Sequence, residues 1–65
     1  MWKLIKDEKP PIGVGVIFSN GIMSIEGARF DDGYIRHDEY DLATVGFEPI
    51  AWCEIPKWEG ENVNI

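Results

Sequence analysis

The chain has 65 residues, of which twelve are aspartate or glutamate and six are lysine or arginine, giving a formal net charge of −6. A chain this short forms one domain with a small core, and its single cysteine excludes an internal disulfide. The acidic balance argues against direct nucleic-acid binding, since phosphate recognition needs clustered basic residues, and it favours a partner protein with a basic surface.

The first residues predict a short strand that two prolines end. In W-K-L-I-K at 2–6 the apolar side chains alternate, so we expect Trp2 and Leu4 on one face, with Trp2 in the core. Pro10 and Pro11 then break the strand, because proline cannot donate to a ladder. The charged start does not resemble a secretory signal and no apolar run reaches membrane-spanning length, so we expect a cytoplasmic protein with no membrane partner.

Residues 12–26 predict a β-hairpin. Asn20-Gly21 between apolar runs is the signal of a two-residue turn, which would pair Phe18 with Met23 and Val16 with Ile25. A one-residue slip would mix apolar and polar side chains, so the pattern and the turn favour the same faces. The expected core face of this hairpin carries Val14, Val16, Phe18, Met23 and Ile25.

A second hairpin is predicted at 28–36, in A-R-F-D-D-G-Y-I-R. A two-residue loop would set Arg29 opposite Arg36, and like charges directly opposite each other destabilise a strand pair. A three-residue loop, 31–33, instead pairs Phe30 with Tyr34 and ends in a glycine bulge. We therefore expect the three-residue loop.

The rest of the chain predicts a loop and a last strand. The apolar positions of 37–45 fit neither the helical nor the strand period, so we expect a loop with one turn of helix capped by Asp38. P-I-A-W-C-E-I-P at 49–56 predicts the last strand. The predicted fold is all-β, a small antiparallel sheet or SH3-like barrel of four to five short strands, with a domain over 1–58 and a frayed tail over 59–65.

No pattern in the sequence indicates catalysis, a metal or a cofactor. His37 and Cys53 are the lone histidine and the lone cysteine, and no third group is available to orient them as a base and a nucleophile. The acidic residues of 31–41 do not have the spacing of a calcium loop. An enzyme therefore ranks last among the functions considered.

The two ends of the chain resemble a family of small phage and prophage proteins, domain of unknown function 551. Its members open with W-x-x-x-x-D-x-x-P-x-x-G, carry an aromatic residue after D-G and close with H-W-M-P-L-P. The matching positions here are Trp2, Asp7, Pro10, Gly13, Gly33, Tyr34, Trp52 and Pro56. Ala51, Cys53 and Glu54-Ile55 depart from the closing motif. The resemblance implies a phage or prophage origin and a compact β domain in which Trp2 packs against Trp52, and it brings no catalytic residue.

The sequence therefore favours a non-enzymatic protein that binds another protein, in its sharpest form an inhibitor of a nucleic-acid-handling or defence complex. Carboxylates would contact the basic partner and one exposed tryptophan would anchor it. The predicted binding residues are Asp31, Asp32, Asp38, Glu39, Asp41 and Trp58. The alternative is a homo-oligomer that assembles through its edge strands.

Overall fold

The computed structural model describes residues 1–56, which form an antiparallel sheet and one short helical turn. The strands are β1 (Lys3–Leu4), β2 (Gly15–Ser19), β3 (Ser24–Arg29), β4 (Ile35–His37), β5 (Tyr40–Asp41) and β6 (Ala51–Glu54), and a 3-10 turn spans Leu42–Val45. Their order across the sheet is β1-β6-β2-β3-β4-β5. The all-β prediction is confirmed, with six strands where four to five were predicted, because residues 40–41 form a further short strand; β1 and β5 are the two edges. The predicted boundary at residue 58 and the tail over 59–65 lie outside the described residues.

The β2–β3 hairpin forms at the predicted place but with a longer loop. Ser19 pairs with Ser24, so the loop has four residues, 20–23, instead of two. The cause is the side chain of Asn20, whose Oδ1 accepts hydrogen bonds from the backbone N–H groups of Ile22 at 2.8 Å and Met23 at 2.9 Å. An asparagine side chain that bonds to the backbone in this way stabilises a turn of its own.

This change shifts the pairing by two residues, and a shift of two keeps every side chain on its predicted face. Phe18 now pairs with Ile25 and Val16 with Gly27. Val16 and Phe18 are buried as predicted, whereas Met23 is in the loop and 60% exposed, and Val14 precedes β2 and is 48% exposed. The predicted face is therefore right and the predicted register is wrong.

The β3–β4 hairpin has the predicted three-residue loop. The N–H of Phe30 donates to the carbonyl of Tyr34 over 2.9 Å, and Gly33 adopts φ +89°, a left-handed conformation that glycine enters without strain. Arg29 pairs with Ile35, which separates it from Arg36. Avoidance of the arginine pair thus predicted the correct loop.

The core lies on one face of the sheet. The segment after β5 folds across that face and brings Leu42 and Phe47 onto the strands, while residues 5–10 cover the β6 side. Ile5, Ile25 and Ile35 pack around the buried side chains at the margin. The buried apolar side chains are Val16, Phe18, Leu42, Phe47 and Trp52.

β1 pairs with β6, but Trp2, which we expected in the core, does not reach it. Lys3, not Trp2, stands opposite Trp52, and residues directly opposite each other share a face. The Nζ of Lys3 lies 5.0 Å from the centroid of the Trp52 ring and 3.4 Å from a carboxylate oxygen of Glu8. Trp2 is consequently on the other side of the sheet and 49% exposed, so the prediction that it packs in the core against Trp52 is wrong.

The predicted turn of helix is present, but another aspartate caps it. Asp41 begins the 3-10 turn and its Oδ1 accepts a hydrogen bond from the N–H of Ala43 over 3.3 Å. Asp38 instead lies in the tight turn between β4 and β5, with φ +57°, because His37 pairs with Tyr40 and leaves a two-residue connection. Among residues 1–56 no helix has the length and apolar character needed to cross a membrane.

Candidate functional site

The five carboxylates predicted to bind a partner lie along one edge of the sheet, formed by β4, β5 and the turns beside them. Asp31 and Asp32 are in the turn before β4, Asp38 and Glu39 are in the turn after it, and Asp41 is in β5. Residues 32 and 38 are separated by about 20 Å at most, given the rise per residue of a strand. We call these five residues the acidic edge.

Two of the five are engaged within the chain. The Oδ2 of Asp32 lies 2.9 Å from Nη2 of Arg36, and its Oδ1 accepts from the N–H of Tyr34 over 3.0 Å. The hydrogen bond from Arg36, followed by that from Tyr34, lowers the pKa of Asp32 below its ordinary value. Asp41 is held by its capping bond to Ala43. These two carboxylates stabilise the edge itself.

The guanidinium of Arg36 also contacts two aromatic rings. Its central carbon lies 4.9 Å from the centroid of Phe30 and 5.5 Å from that of Tyr34, within the range of a cation–π contact. The hydrogen bond to Asp32 and the charge of that carboxylate, followed by the charge of Asp41, raise the pKa of Arg36. The arginine nearest the acidic edge is thereby occupied by partners of its own chain.

Asp31, Asp38 and Glu39 remain available to a partner. All three are exposed. Within residues 1–56 the ion pairs are Lys3–Glu8 and Arg36–Asp32, so none of the three carboxylates is neutralised there. These residues are the part of the acidic edge that can attract an external cation.

Of the described lysines, Lys3 lies at the opposite edge of the sheet, in β1. Lys6 and Lys9 follow in the segment that leaves this strand and line a groove beside Pro49. Because β1 and β5 are the two ends of the strand order, Lys3 and the acidic edge are separated by the width of the sheet. The charge of Lys3 therefore does not cancel the field of the acidic edge at short range.

One carboxylate that we did not single out, Glu26, lies beside the acidic edge. It is in β3, pairs with Ile17 and lines a groove together with Asp38. Strand alternation places Gly15, Ile17 and Glu26 on the face away from the core, so this pattern predicts the face on which Glu26 lies. Its nearness to Asp38 depends on the β4–β5 turn, which the sequence did not predict.

His37 and Cys53 are not neighbours. His37 donates from Nδ1 to the backbone carbonyl of Glu26 over 2.6 Å, whereas Cys53 is half-buried in β6. Three strand spacings separate β4 from β6 in the sheet order, which corresponds to about 14 Å. The two side chains cannot act together on one substrate atom in this arrangement.

No protein-family model, characterised protein or solved structure matches the chain. The resemblance to domain of unknown function 551 stays a prediction. Several residues of its motif serve the fold: Pro10 and Trp52 are buried, and Gly13 and Gly33 have positive φ. Trp58, the predicted apolar anchor, lies outside the described residues.

Proposed function

We propose that the protein is a non-enzymatic binding protein whose acidic edge contacts a basic surface of a partner protein. The observation that carries the proposal is the group of exposed carboxylates Asp31, Asp38 and Glu39, which have no ion pair within residues 1–56 and lie at the edge opposite β1. Clustered charge of one sign accelerates encounter with a surface of the other sign and disfavours wrong partners.

The basic surface that best complements such an edge is one that ordinarily holds phosphate groups. Lysine and arginine clusters of nucleic-acid-binding proteins carry the required charge, and spaced carboxylates can occupy them in place of phosphates. The function we propose is therefore inhibition of a nucleic-acid-handling or defence complex in the cytoplasm. The resemblance to a phage family supports a phage or prophage origin.

Assembly through the edge strands is a weaker alternative. Both edge strands have two residues, which offers few backbone groups to a second copy. The carbonyl of Leu4 in β1 already accepts hydrogen bonds from the N–H groups of Asp7 and Glu8, each over 3.0 Å. Short edges whose polar groups are occupied are how proteins suppress edge-to-edge pairing.

The test is a capture of proteins from bacterial lysate with three tagged baits at low and high salt. The first bait is the wild type. The second is the edge variant, Asp31→Asn, Asp38→Asn and Glu39→Gln, in which asparagine keeps the tolerance for positive φ needed at position 38. The third is a control variant that neutralises three exposed carboxylates elsewhere, Asp7→Asn, Glu48→Gln and Glu54→Gln.

Both variants have the same net charge, because each loses three carboxylates from the total of −6. We expect the wild type and the control variant to retain the same protein at low salt and to release it at high salt, and the edge variant to retain little of it. Equal retention by the edge variant and the control variant would contradict the proposal, since net charge and not the acidic edge would then determine binding.

A further inference from the structure

The face of the sheet opposite the core carries several apolar side chains beside its polar ones. The uncovered face of an antiparallel sheet is ordinarily polar. Here the positions that alternate with the core include Ile17 and Cys53, which pair with each other, and Leu4, Ala28 and Ile55. Leu4 and Ile55 are 44% and 40% exposed. Gly15 and Glu26 on this side are also exposed, and Ile17, Ala28 and Cys53 are half-buried; we call this side the open face.

A trough crosses the open face at Gly15. A Cβ atom built there would lie 3.7 Å from Cδ1 of Ile55 and 3.9 Å from Oε2 of Glu26. Gly15 lacks the positive φ of the turn glycines, so the backbone does not demand glycine at this position. What the missing side chain provides is space, with an apolar group on one side and a carboxylate on the other.

The trough has an apolar end and an acidic end. At the first end, Ile17 and Ile55 line a groove with Glu26. At the second end, Gly15 and Ala28 line a groove with Glu26 and Asp38. Glu26 belongs to both grooves, and neither it nor Asp38 has an ion-pair partner within residues 1–56. The acidic end joins the acidic edge through Asp38.

We propose that the trough receives, from a segment of the partner protein, one apolar side chain and a neighbouring lysine or arginine. The apolar side chain would lie against Ile17 and Ile55, and the cation would reach Glu26 and Asp38 while its methylene stem packs over Gly15 and Ala28. This inference rests on the proposed function and adds to it the class of segment recognised. Charge complementarity selects the occupant, because Glu26 and Asp38 attract a cation and the net charge of −6 disfavours a second copy of this chain.

Two synthetic peptides of equal charge test the inference. Each has eight residues with four lysines, alternating with leucine in one peptide and with serine in the other. Titration followed by amide chemical shifts gives both the affinity and the place of binding. We expect the leucine peptide to bind the wild type about tenfold more tightly, as burial of one leucine side chain implies, with shifts at Gly15, Ile17, Glu26 and Ala28.

Gly15→Leu places a side chain in the trough and should remove the advantage of the leucine peptide, so that the two peptides bind this variant with similar affinity. Glu26→Gln serves as a second variant, because it alters one side-chain terminus on the exposed face; it should weaken the leucine peptide more than the serine peptide. If Gly15→Leu does not fold, Glu26→Gln and the shifts of the wild type still decide the outcome.

The outcomes separate this inference from the proposed function. Equal affinities for the two peptides, with shifts confined to 31–41, would overturn the inference and leave the proposed function standing. Failure of both peptides to bind would overturn both. If the chemical shifts of the open face depend on protein concentration in the absence of peptide, the face binds a second copy. If residues 57–65 contact it, the face binds the end of this chain. Either result overturns the inference.

Discussion

Gly15 and Gly27 lie in neighbouring strands, yet replacement of each by alanine should change stability in opposite directions. Gly15 is exposed on the open face, and a Cβ atom there meets its nearest neighbours at 3.7 and 3.9 Å, which is ordinary van der Waals contact. Gly27 is buried on the core face, and a Cβ atom there would lie 2.7 Å from the backbone carbonyl oxygen of Arg36 and 3.5 Å from Cδ2 of Phe18.

The two magnitudes follow from these distances. Where the native backbone suits alanine, the change from glycine stabilises a protein by about 0.4–1 kcal/mol, because the unfolded chain loses conformational freedom. Gly15→Ala should gain that amount. Gly27→Ala gains the same but forces β3 and β4 apart, and overpacking of this kind costs about 1–3 kcal/mol. The two variants should therefore differ by about 1–3 kcal/mol in the free energy of unfolding.

Urea denaturation followed by tryptophan fluorescence measures the difference, since Trp52 is buried and reports loss of the core. At equal slopes, the midpoint should rise for Gly15→Ala and fall for Gly27→Ala. In a domain of this size, each kcal/mol corresponds to about 4–8 °C in the melting temperature. A Gly27→Ala protein as stable as the wild type would refute the close approach of β3 and β4, and a destabilised Gly15→Ala protein would refute the open space at the trough.

Three further changes test the edge and the core. Asp32→Asn should lower stability at neutral pH, because the hydrogen bond from Arg36 lowers the pKa of Asp32 in the folded state. This stabilisation is present above the unfolded pKa and is lost as the pH falls through the folded pKa, so the urea midpoints of variant and wild type should converge at a pH below the ordinary pKa of aspartate. Trp52→Phe removes the 2.8 Å hydrogen bond from Nε1 to the carbonyl of Glu8 and leaves a void in the core. The free energy of unfolding, measured by thermal denaturation, should therefore fall by about 1–3 kcal/mol. An unchanged melting temperature would contradict that contact. Asp41→Ala should cost about 1 kcal/mol through loss of the cap, whereas Asp41→Asn should keep most of the stability; equal losses in chemical denaturation would show that charge and not capping matters there.

The strand pattern predicted faces well because alternation depends on the backbone alone. Val16, Phe18 and Trp52 are buried as the pattern indicates. Register was predictable only where one pairing was penalised: the repulsion between Arg29 and Arg36 selected the correct loop of the second hairpin. In the first hairpin, a two-residue loop and a four-residue loop place every side chain on the same face, and no unfavourable pair distinguishes them.

Side chains that compete for one structural role limited the remaining predictions. Asp38 and Asp41 are both good helix caps, and only the pairing of β4 with β5 decides that Asp41 takes this position. Likewise Trp2 and Lys3 compete for the place over Trp52, and the β1–β6 register gives it to Lys3. The sequence shows that carboxylates cluster at 31–41, but it does not show that Asp32 is paired with Arg36.

The most direct test of the binding proposal is a titration of the wild type, the edge variant and the control variant with an oligolysine peptide at low salt, followed by amide chemical shifts. We predict shifts in the wild type at Asp31, Asp38 and Glu39, an affinity of the control variant within twofold of the wild type, and a loss of about tenfold or more in the edge variant. Equal weakening of the two variants, or shifts spread over all exposed carboxylates, would contradict a binding role for the acidic edge.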